Sequence, residues 1–159
     1  YKYGQLVDAY SRDETEIIEN IRNITSIPLS IDDSLKVEVE LEGVLYTPFS
    51  NSKISIEQLL SNSFSKIDNS TSILFKAFQI FCSKSDELSD LTQLQNWGFE
   101  VPITLRTDDP RQVKRWHSQW IKNELFSNLP TNGIVAKCNS SLTKNLLVLA
   151  LPLLIGLWL

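Results

Sequence analysis

The chain has 159 residues, 15 Lys and Arg against 19 Asp and Glu, a net charge of −4 and 42 % hydrophobic residues. That sign of charge excludes nucleic-acid binding through a basic surface. A single histidine and two cysteines exclude a zinc centre of the usual kind, and no motif calls for a cofactor.

Tyr1 to Asp8 reads as a short first strand with Tyr3 and Val7 on one face. Asp13 to Ile24 reads as a helix. Ile17, Ile18, Ile21 and Ile24 recur at helical spacing, Ser11 or Asp13 would cap it, and Asp13, Glu14 and Glu16 fill its first turn before Pro28 stops it. Leu35 to Leu41 is the cleanest strand, its apolar positions alternating with Lys36, Glu38 and Glu40. Gly43 permits a bulge before Val44 to Tyr46 continue towards Pro48. Ser55 to Gln58 has the form of a capping box, and Ile56, Leu59, Leu60 and Phe64 follow at the spacing of a short helix.

Ile73 to Cys82 is nearly all apolar and predicts a central strand buried on both faces. Asp86 to Asn96 predicts a helix with Leu88, Leu91 and Leu94 inward, ended by Gly98. Phe99 to Leu105 alternates again, and Pro102 puts that strand at an edge or a sheet end. Asp109-Pro110 opens the longest helix, with Val113, Trp116, Trp120, Leu125 and Leu129 as its apolar stripe up to Pro130. Gly133 to Lys137 is a last short strand. Strands and helices without the regular alternation of a doubly wound sheet predict an α+β fold, an antiparallel sheet with packed helices over residues 1–141.

Residues 142–159 stand apart. From Leu146 to Leu159 no side chain is charged, and Leu146, Leu149, Leu153 and Trp158 are representative of what such a segment offers a bilayer. The preferred reading is one retained transmembrane helix. Fourteen residues make only about 21 Å of helix against about 30 Å of hydrocarbon, so that reading has the chain continue beyond Leu159. The alternative is a glycolipid-anchor signal, with Asn139-Ser140-Ser141 as the small residues and a short spacer to Leu146. A buried core helix is the third reading, which Pro152 fits poorly.

The absence of methionine suggests that a secretory leader precedes Tyr1, giving a single-pass type I topology. Cys82 and Cys138 then fit an oxidising lumen and are expected to form a disulfide. Three glycosylation sequons begin at Asn69, the best placed, Asn23 and Asn139.

No catalytic constellation emerges. His117 has no elbow serine motif to serve, the Asp32-Asp33 pair reads as a turn and the Asp108-Asp109 pair as a helix cap. The basic, tryptophan-bearing helix after Asp109 is the most suggestive surface: Arg111, Lys114 and Arg115 with Trp116 and Trp120 would meet lipid headgroups or a membrane partner. The bland alternative has the tryptophans packed on the sheet and the cations in water. Together these features predict a non-catalytic accessory subunit, anchored in the endoplasmic reticulum membrane, that stabilises or orients a multi-pass membrane protein. A glycolipid-anchored cell-surface binding protein is the alternative and a membrane-tethered enzyme the third.

Overall fold

The computed structural model describes residues 1–32, 38–47, 73–128, 131–140, 143–152 and 155–158. The fold is α+β, with every strand pair antiparallel. Strands β1 (Tyr10–Ser11), β7 (Ile155–Trp158), β2 (Leu41–Tyr46) and β3 (Leu74–Ile80) form one sheet in that order. Strands β4 (Ile103–Thr107), β6 (Thr143–Pro152) and β5 (Thr131–Ser140) form a second. The helices among the described residues are α1 (Ile18–Ile21), α2 (Glu87–Asn96) and α3 (Pro110–Ile121).

The C-terminal segment departs from expectation. Where a membrane helix was predicted, residues 143–152 and 155–158 are strands, and each is flanked on both sides. Among the described residues no helix is long and apolar enough to cross a membrane. The physical reason is that an unbroken apolar run has no period: it suits a strand with neighbours on both sides as well as a helix. Pro152, which would cost a helix a hydrogen bond, ends β6 opposite Thr131, and Gly156 lies within β7.

The N-terminal third builds the core by a route that periodicity misses. Helix α1 is one turn, because Ser11 and Asp13 hold a turn instead of capping a helix. The Ser11 hydroxyl donates to the Asp13 carboxylate, holding that carboxyl below its usual range, and Ser11 N donates to Thr15 O at 2.9 Å. Ile17, Ile18, Ile21, Ile24, Ile27 and Ile31 are nevertheless all buried. The expected first strand is a turn over Tyr3 and Gly4, both at positive φ, so Tyr3 and Val7 are exposed while Tyr1, Leu6 and Ala9 are buried. The Tyr1 amino group donates to Val39 O at 2.7 Å and its hydroxyl to Pro28 O at 2.5 Å. Its ring meets Phe99 edge-on, and Phe99 meets Phe75 in the same way, at centroid distances of 5.9 and 6.1 Å.

Of the strand expected over Leu35 to Leu41, only Leu41 belongs to β2, although Glu38 and Glu40 are exposed and Val39 and Leu41 buried as the alternation predicts; Leu35 to Val37 and the Ser55 to Phe64 helix lie outside the described residues. The bulge expected at Gly43 is present as a register shift between Glu42 and Gly43. A Cβ there would enter the Phe75 ring and lie 2.5 Å from Lys76 O. Strand β3 is an edge strand, not the central one its apolar run suggested. Its outer edge is closed by other means: Phe75 N donates to Ser26 Oγ at 2.8 Å and Ala77 N to Glu100 O at 2.9 Å.

Helix α2 matches its expected bounds. Asp86 caps it by accepting from Ser89 N, Leu91 and Leu94 are buried, and Gly98 at φ 91° ends it, while Leu88 faces outward. Strand β4 is at an edge as Pro102 implied. Helix α3 is shorter than predicted, because Asn123 and Phe126 take left-handed backbone just after it.

Two outcomes follow from the core. Gly43→Val should destabilise the fold by about 1–3 kcal/mol through overpacking and Phe75→Ala by about 3–5 kcal/mol through a cavity, both read by urea unfolding. Tyr46, buried and donating to Glu100 Oε2 at 3.2 Å, has its phenol pushed up to about 12, chiefly by burial. The folded state therefore favours the neutral phenol. That contribution is complete below the ordinary value of 10.0 and is lost as pH rises through about 12. Spectrophotometric titration of wild type against Tyr46→Phe should show the delayed phenol missing from the variant.

Candidate functional site

Helix α3 is positioned by its N-terminus. Asp109 N donates to Thr107 Oγ1 at 3.1 Å, and Asp109 Oδ1 accepts from Arg111 N at 2.9 Å, with Pro110 in the first turn. Arg111 Nε also donates to Asp109 Oδ1 at 3.0 Å, and that hydrogen bond holds the carboxyl below its usual range. At the other end the Trp120 indole donates to Thr131 Oγ1 at 2.9 Å, fixing the helix to β5.

Between these two ties the helix lies against β4, β5 and β6. None of its residues is buried. Trp116 and Trp120 are half-buried, which falls between the two sequence readings of the helix, and Ile121 is 65 % exposed. Arg111, Lys114, Arg115 and Lys122 are exposed, and no acidic residue lies between Pro110 and Lys122. Arg115 Nη1 donates to Gln112 Oε1 at 3.4 Å. His117, also exposed, has its ring 5.9 Å from that of Trp120. A cleft of about 360 Å³ opens between α3 and β5, with Val113, Lys114, His117 and Ser118 on one wall and Ile134 and Ala136 on the other. Its chemistry is two-sided, a cation and an imidazole facing aliphatic strand residues.

A second cluster joins β5 to α2. Lys137 Nζ lies 3.3 Å from Glu87 Oε2 and 3.4 Å from Gln79 Oε1, and 5.8 Å from the Phe78 ring centroid. Asn139, 8 % exposed, accepts from Leu88 N at 2.9 Å and so caps α2 beside Asp86. Burial raises the Glu42 carboxyl, with Lys137 and Arg12 opposing that shift. Sequence reading missed both Lys137 and the capping role of Asn139. The partners lie about fifty residues away, and the sequon at Asn139 pointed to a different role.

The cysteines are not bridged: Cys82 and Cys138 are both free and exposed. The reason is strand alternation. Lys137 and Asn139 turn towards β3 and α2, which Cys82 connects, so Cys138 between them turns the other way. Asn23 is exposed, with its amide donating to Glu19 O at 3.0 Å. Asn69 lies outside the described residues, as does Leu153. Leu146 is paired with Thr107 and Cys138, Leu149 with Thr104 and Val135, and Trp158 with Tyr10 and Glu42. The structure thus brings Arg111, Lys114, Arg115, Trp116 and Trp120 together on one helix and sets that helix beside β6, but it does not bring the cysteines together. Comparison with protein-family models, with curated proteins and with solved structures finds no match.

The geometry separates the sequons. Mass mapping of glycopeptides should find Asn23 occupied and Asn139 bare, since a glycan on Asn139 would have to open the cap of α2. Asn139→Ala should lower stability by about 1–3 kcal/mol by leaving Leu88 N without its acceptor, read as a lower urea midpoint.

Proposed function

We propose that this chain is a membrane-attached, non-catalytic accessory subunit. Residues 1–141 form its luminal domain in the endoplasmic reticulum, residues 142–159 attach it, and the domain docks on a multi-pass membrane protein and stabilises or orients it. The observation that carries the reading is the run Leu146–Leu159, fourteen successive residues without a charged side chain.

The strand placement of the run and a bilayer placement answer one requirement in two ways. Backbone N–H and C=O groups surrounded by apolar side chains must be paired, in a ladder or within a helix. The sequence of the run is compatible with both, and its Pro and Gly are tolerated in membrane helices. Helix α3 adds a surface suited to a membrane setting, with cations, two half-buried tryptophans and an exposed Ile121.

Purification from native membranes in mild detergent, with mass spectrometry of the intact chain and of what co-purifies, tests this directly. The expected result is a stoichiometric multi-pass partner and a chain that retains Leu146–Leu159. A chain recovered alone, cut before Leu146 and carrying a glycolipid mass, would replace the proposal with a surface-displayed binding protein. Leu149→Asp provides a second test. An acid at the centre of a spanning helix costs about 2.5–3.5 kcal/mol, so the variant should move to the alkaline-carbonate supernatant with its melting temperature retained. Unfolding with unchanged membrane attachment would overturn the reading.

A further inference from the structure

Resting on that reading, we infer that the slot which Ile155–Trp158 leaves between β1 and β2 on entering the bilayer receives an extended apolar segment of the multi-pass partner, paired as an added strand. In the structure β7 lies between these two strands. Tyr10 and Ser11 are opposite Trp158 and Leu157, and Glu42 to Leu45 are opposite Trp158 to Ile155. When the run attaches the chain, that position empties and the edge of β2 is uncovered.

Neither wall of the slot depends on β7. Strand β2 is held from its other side by the ladder to β3, with Leu41 and Leu45 in the buried cluster and the Phe75 ring seated against Gly43. Strand β1 is held by its own turn. Ser11 N donates to Thr15 O, Glu14 N to Ser11 O and Ile17 N to Ala9 O, each at 2.9 Å, and Ala9 and Ile17 are buried.

The edge also carries its polar groups at defined places. Phe75 N and Ala77 N donate away from β2, to Ser26 Oγ and Glu100 O. In an antiparallel ladder the residues opposite them, Leu45 and Gly43, therefore turn their N–H and C=O away from β3 and towards β7. Val44, opposite Lys76, is paired with β3 instead. Donors and acceptors at alternate residues are what an extended peptide satisfies and a helix does not. Val44 and Leu45 stand on opposite faces and both are fully buried, so an occupant has apolar neighbours on each face. The segment seated there, Ile155-Gly156-Leu157-Trp158, has no charged side chain and shows the class of sequence that fits. Uncharged apolar stretches abound in a multi-pass protein, which selects it as the donor.

The chain reconstituted in phosphatidylcholine nanodiscs tests this by amide hydrogen exchange at Leu45, with Val44 as internal control. The probe is a peptide of residues 153–159 with terminal lysines added for solubility. The expected result is incorporation, with fast exchange at Leu45 and slow exchange at Val44. Added peptide then slows Leu45 about ten-fold at about nine times its Kd and leaves Val44 unchanged. N-methylation of the peptide tests the pairing without altering the protein. At the residue matching Leu157, whose N–H faces β2, it should abolish the slowing; at the residue matching Gly156, whose N–H faces away from β2, it should not. Incorporation with no slowing, or with slowing that ignores the position of the methyl group, would overturn the strand proposal and leave the attachment reading standing. Slow exchange at Leu45 in an incorporated chain before peptide is added would assign the slot to β1 closing over it or, where protection rises with the number of chains per disc, to a second copy; either overturns the proposal. Failure to incorporate, with Leu45 slow because β7 keeps its place, would overturn the attachment reading and the proposal with it.

Discussion

The constraint on which the two sheets depend is that an apolar segment must pair its own backbone. Among the described residues, 143–152 and 155–158 supply an interior strand to each: β4 and β5 are joined through β6, and β1 reaches β2 through β7. Remove the segment and the second sheet has no internal pairing, whereas β2 and β3 remain paired to each other. The molecule therefore divides by dependence. The β2–β3 pair, α2 and the isoleucine-lined N-terminal third rest on each other; the platform under α3 rests on the C-terminal run.

That division follows the packing. The buried cluster joins Tyr1, Phe75 and Phe99 edge to face, with Leu91 and Leu94 from α2, Trp97 just after it and six isoleucines from the N-terminal third. Gly43 admits the Phe75 ring against the β2 backbone, so a missing side chain on one strand sets the seat of an aromatic on the next. The second sheet is tied to this body at β5, where Lys137 reaches Glu87 and Gln79 and Asn139 caps α2. Lys137 and Glu87 are each less than a third exposed, which keeps their attraction less screened than at an open surface.

Local chemistry was the legible part. The cap at Asp109, the stop at Gly98, the bulge at Gly43 and the edge position of β4 each depend on a residue and its immediate neighbours, and each was readable from the chain. What was not readable depends on distant partners. The Asp13–Ile24 period marks burial correctly, yet Ser11 and Asp13 spend their hydrogen bonds on a turn, so only one helical turn forms. Strand β3 looked central because both of its faces are apolar, but Ser26 and Glu100 occupy the edge where another strand would lie. An unbroken apolar run carries no period, and nothing within it distinguishes a strand between two neighbours from a membrane helix. The cluster on α3 was legible as a list of residues, while the cleft was not, since Ile134 and Ala136 come from a different element.

The same contrast explains the electrical asymmetry of the surface. Where acids lie next to cations they are used up in structure: Glu87 holds Lys137, Glu100 holds Lys76, and Asp109 holds Arg111. Lys114, Arg115 and Lys122 have no acid within their helix to meet; Arg115 and Lys122 are exposed, and Lys114 lines the cleft beside β5. Lys114, Arg115 and Lys122 are thus cations of this region with no acid on their own helix, and that helix lies against β4, β5 and β6. Attachment and surface charge are adjacent in the structure because β6 is at once the support of α3 and the start of that run.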